Sequence, residues 1–95
     1  MDRNRLEKIV RKATKAGLTN DMKYVVIEET TRRGIQKYHL LENREHPELR
    51  SSMYFWTMWG WLDKLENQYS EDDARATAKW AWGIEADPKL IKIKM

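Results

Sequence analysis

Cysteine is absent from this chain, phenylalanine occurs once, proline twice and glycine four times. Without thiols there can be no disulfide staples and no thiolate metal site, which suits a reducing compartment. With so few breakers, nothing marks a linker, an internal repeat or a low-complexity segment. No apolar run reaches the roughly 20 residues that a bilayer span needs, so no membrane association is expected. The charged start Met1-Asp2-Arg3-Asn4-Arg5 is not an apolar signal region, and a cytoplasmic protein is expected. Phosphate-binding glycine loops, nucleophile elbows and HExxH motifs are missing as well. The reading is therefore of a non-enzymatic protein without cofactor or metal. One cluster bears on the metal question: His39, Glu42, Glu45, His46 and Glu48 fall within ten residues. Their spacing matches no standard metal site, and a polar connection before a helix collects such residues readily.

What the chain does contain is charge and tryptophan. Charged residues make up 35% of its 95 residues, and there are five tryptophans. The 11% aromatic content argues against disorder. A chain of this length makes one domain with a modest core. Its net charge of +3 is unevenly spread: residues 1–37 carry ten Lys/Arg against five Asp/Glu, residues 38–87 the reverse, and residues 88–95 three lysines. A basic front and tail thus flank an acidic middle, a polarity that can steer an anionic partner to one side.

In order along the chain, residues 2–16 read as a helix, with Leu6, Ile9, Val10, Ala13 and Ala16 inward and Gly17 as the stop. Arg5, Lys8, Lys12 and Lys15 line another face with Arg11 beside them. Tyr24-Val25-Val26-Ile27 and Ile35 to Leu41 flank Gly34, which predicts a β-hairpin with strands at roughly 23–30 and 35–41. A competing helix over 20–33, which would resemble a helix-turn-helix, is disfavoured by Val25-Val26-Ile27 and Thr30-Thr31. Pro47 suits a first helical turn. Tyr54, Met58, Trp61, Leu62, Leu65 and Tyr69 then recur on one face, predicting a tryptophan-rich helix over 47–69. Ser70 followed by Glu71-Asp72-Asp73 caps a second helix over 71–85, and Leu90 to Lys94 alternates as a short strand, Ile91 and Ile93 inward. The expected fold is α+β, a small two-layer domain of order α-β-β-α-α-β, with the hairpin and C-terminal strand packed against the helix pair. Hairpin-then-helix domains of this size are similar in outline to small accessory proteins of bacteria and their viruses, a likeness of architecture that carries no motif.

Two binding functions follow. The first is a protein-interaction or inhibitor module that docks on an unknown protein, or on a second copy, through the aromatic helix. Its contacts would be Met53, Phe55, Trp56, Trp59 and Trp61, since tryptophan is a favoured anchor at such surfaces. The alternative is nucleic-acid binding. Arg5, Lys8, Arg11, Lys12 and Lys15 would meet phosphates, and Arg32 and Arg33 would reach from the hairpin tip.

Overall fold

The computed structural model describes residues 3–43, 61–68, 70–83 and 88–95. They form a small α+β domain of two helices and a mixed four-stranded sheet. Helix α1 spans Arg3–Lys15 and buries Leu6, Ile9, Val10 and Ala13, the residues its spacing turns to one side. It stops at Gly17, whose φ of +117° suits a residue without Cβ. The Leu18 N–H then reaches the Ala13 carbonyl at 2.9 Å and the Leu18 side chain is buried. Ala16, expected inward, lies past the last turn and is exposed.

Strands β1 (Tyr24–Thr30) and β2 (Gln36–Asn43) make the antiparallel hairpin, with Val26 opposite Leu40 and Ile27 opposite His39. Gly34 takes a φ of +81° in the turn, and Thr31 clasps it: the Gly34 N–H donates to the Thr31 carbonyl and the Ile35 N–H to Thr31 Oγ1. The helix considered for 20–33 does not form.

Strand β3 covers Trp61–Gln68 and pairs antiparallel with β2. This corrects the helix predicted over 47–69, whose first part, 47–60, lies outside the described residues. Apolar residues at i, i+4 and i+7 fit a helix face, but here the ladder to β2 decides the conformation. The element order is accordingly α-β-β-β-α-β among the described residues. Helix α2 (Glu71–Trp82) begins at Ser70, whose Oγ accepts the Asp73 N–H at 3.0 Å, with three acids in the first turn. It ends at Gly83, short of the predicted 85. Strand β4 (Lys89–Lys94) pairs parallel with β1, giving the sheet order β3-β2-β1-β4.

From these pairings β3 and β4 run in the same direction at opposite edges. Three inter-strand steps separate them, about 14 Å, and a helix the length of α2 spans about 18 Å. α2 therefore carries the chain across one face of the sheet. α1 covers the other. Val25, Ile27, Leu41, Trp61, Ile91 and Ile93 pack with α1, whereas Val26, Tyr38 and Leu40 pack with Ala74 and Ala78 of α2. The expected two layers are thus three, helix–sheet–helix. The central strands demand it, because Val25-Val26-Ile27 and Leu40-Leu41 are apolar on both sides of the pleat. The small alanines of α2 approach the sheet rather than a neighbouring helix. At its end Trp82 stacks on Tyr24, ring centroids 4.4 Å apart, and its Nε1–H donates to Glu42 Oε1 at 2.5 Å. No helix of the described residues is long and apolar enough to cross a membrane.

Candidate functional site

At 100° per residue, Arg5, Lys8, Lys12 and Lys15 occupy about 80° of the circumference of α1, on the flank beside its apolar stripe. The β1–β2 turn rises next to that flank, because α1 lies over the Val25–Ile27–Glu29 side of β1 and Thr30 leads directly into the turn. Between helix and turn lies a cleft of about 800 Å³, lined by Arg5, Lys8 and Lys12 from α1 and by Arg32 and Lys37 from the hairpin. Lys37 is the cross-strand neighbour of Glu29. Asn4, Thr31 and Met95 also line it.

Glu29 forms the floor. It is 2% exposed, and its carboxylate receives Arg5 Nη2 at 2.7 and 3.0 Å and His39 Nε2 at 2.7 Å. Burial pushes its pKa up, but the hydrogen bonds from His39 and Arg5 and their charges outweigh it and hold the carboxyl below its ordinary range. Glu29 is therefore ionised at neutral pH. An ionised carboxylate only accepts, so His39 Nε2 carries a proton. Arg5, 39% exposed, has its charge largely offset by this contact. Lys8, Lys12, Arg32 and Lys37 make no ion pair among the described residues. The one bond of Lys12, from Nζ to the Lys94 carbonyl at 2.8 Å, leaves its charge uncancelled.

On the α2 side of the sheet a second buried carboxylate, Glu28, accepts the Tyr38 hydroxyl at 3.0 Å. Burial, and then this neighbour, push the phenol above its ordinary value. It faces away from the cleft.

The structure thus gathers Arg5, Lys8, Lys12 and Arg32 of the cationic residues named from sequence. Lys15 lines a separate, smaller groove beside β4. Arg11 and Arg33 are exposed but border neither cavity. Among the aromatic contacts, Trp61 is 1% exposed and belongs to the core under α1, which removes it as a docking residue. Met53, Phe55, Trp56 and Trp59 lie outside the described residues. Among the described residues the exposed indole is Trp80, at 82%. His39 and Glu42 point to opposite faces of β2, one to Glu29 and the other to Trp82. Among the described residues no three metal-ligating side chains converge; Glu45, His46 and Glu48 lie outside them. Sequence reasoning missed Lys37, Glu29 and His39 as parts of the site. The signal for Glu29 was its alternation with Val25 and Ile27, which places a carboxylate on a buried face where it must find cations.

No protein-family model matches the chain, and neither a curated protein nor a solved structure matches it.

Proposed function

We propose that the protein binds nucleic acid through its phosphate backbone, in the cleft between α1 and the β1–β2 turn. The observation that supports this reading most is the convergence of Lys8 and Lys12 with Arg32 and Lys37, four cations from two distant segments that have no carboxylate partner among the described residues. Glu29, the carboxylate among the described residues that line the cleft, is already engaged by Arg5 and His39. The acids of the middle of the chain would oppose such a ligand if they shared its surface. Of those whose side chains are described, Glu71, Asp72 and Asp73 belong to α2, across the sheet, and Glu42 turns the same way. At ~0.1 M salt the Debye length is ~10 Å, so their repulsion at the cleft is small.

The test is salt. Four phosphate contacts give a slope of log K against log salt of about −3.6 on duplex and about −2.8 on a single strand. Lys8→Ala should weaken binding equally across sequences and flatten the duplex slope by about 0.9. A slope near zero, or an unchanged one in the variant, refutes the reading.

Trp80 supports a second reading, a protein contact or homodimer through the outer side of α2, because so exposed an indole is a ready anchor. Light scattering over a range of concentrations is expected to give self-association that Trp80→Ala removes. A wild-type monomer throughout would eliminate the homodimer.

A further inference from the structure

We infer that the phosphate track does not end in the cleft but continues across α1 into the groove beside β4, so that the site takes a polynucleotide backbone several phosphates long and not a nucleotide or a terminal phosphate. This rests on the nucleic-acid reading above. The second groove, about 340 Å³, is lined by Lys12, Lys15, Lys92 and Lys94, with Ala16 and Ile93 between them. Lys12 lines both cavities, and its bond to the Lys94 carbonyl ties it to the β4 wall of the second groove. The two grooves are therefore one basic surface with a common rim. Among the described residues that line the second groove there is no carboxylate, and Lys15, Lys92 and Lys94 make no ion pair among the described residues.

The spacing suits a polymer. From Arg5 to Lys15 α1 rises about 15 Å, and one strand of a duplex places a phosphate about every 3.4 Å along the axis, so this wall alone runs beside about four steps. Lys92 and Lys94, two apart on the edge strand β4, alternate with Ile91 and Ile93 and so leave the sheet on the side away from α1. They border the groove from the edge of the strand and extend the track by about 6.6 Å. A mononucleotide would leave one groove empty. None of the described residues that line either groove is aromatic, so stacking on bases has no platform there, and the shared chemistry recognised is the phosphodiester backbone.

The experiment measures fluorescence anisotropy of the full chain with labelled oligonucleotides, from a mononucleotide through a dinucleotide to a dodecamer, as single strands and, for the longer members, as duplexes. Affinity should rise with length until both grooves are covered. The slope on a long duplex should approach about −6, because Lys15, Lys92 and Lys94 join the four cations of the cleft. In the double variant Lys92→Ala, Lys94→Ala the long-duplex slope should flatten by about 1.8, while binding of the dinucleotide stays the same. Both side chains are exposed and Ile91 and Ile93 are untouched, so the fold is kept. An affinity that saturates at the dinucleotide, with no change in the double variant, overturns the continuous track and leaves the cleft reading standing. Absence of binding at every length overturns both. Length dependence confined to single strands of one base composition means that bases are read, and that also overturns the proposal.

Discussion

Trp61→Ala is expected to destabilise the protein by about 3–5 kcal/mol, the cost of deleting a large buried aromatic and leaving part of its space unfilled. The residue opens β3, is 1% exposed and belongs to the cluster that includes Leu6, Ile9 and Val10 of α1. Its partner across the ladder is Asn43, whose Nδ2 donates to the carbonyls of Asn20 at 2.8 Å and Met22 at 3.1 Å. That end of the sheet thus joins an edge strand, the α1–β1 connection and the helix, and the indole fills the angle between them. Since domains of this size are stable by only about 5–15 kcal/mol, the loss is a large fraction of the total. Urea unfolding followed by circular dichroism should show a lower midpoint with an unchanged slope, and Trp61→Phe should recover part of the difference. A change below about 1 kcal/mol would contradict a core position. It would also revive Trp61 as a surface contact.

The location of Trp61 marks the limit of what the sequence could disclose. Elements with local signals were legible: the 3.6-residue spacing of Leu6, Ile9, Val10 and Ala13, the β-branched run ahead of Gly34, the Ser70 cap, and the alternation of Ile91 and Ile93. β3 had no such signal. Its tryptophan and leucines repeat at a spacing that a helix satisfies equally well, and the strand exists because Leu40 and Leu41, some twenty residues earlier, offer it a ladder. The number of layers could have been read, since three consecutive apolar residues in β1 need cover on both faces. The site was legible in parts. The cationic flank of α1 and the arginine at the hairpin tip each follow from local periodicity. That Arg5, Lys8 and Lys12 face Arg32 and Lys37 depends on which side of the sheet α1 covers, and the sequence pattern is silent on that.

Glu29→Gln is expected to move stability and binding in opposite directions. The substitution keeps the shape but removes the charge that Arg5 and His39 share. Hydrogen bonds to a charged group contribute about 1.5–3 kcal/mol, so the variant should lose stability of that order at neutral pH. The loss is pH-dependent with a defined sign. Because the folded pKa of Glu29 lies below its unfolded value of about 4.3, its contribution is fully present above that value. It disappears as pH falls through the folded value. Urea midpoints measured from neutral pH into acid should therefore differ between wild type and variant above the carboxylate range, and the difference should close below it. Binding goes the other way. Without Glu29 the cleft loses the negative charge on its floor, so phosphate should bind more tightly at low salt, with the gain fading as salt rises. A folded variant that binds more weakly with an unchanged slope would mean that Glu29 aims Arg5 at the ligand. The first outcome is expected because Glu29 lines the cleft, where its charge opposes that of a phosphate. Glu29 then stabilises the junction of α1 with the sheet while restraining the affinity of the cleft that this junction creates.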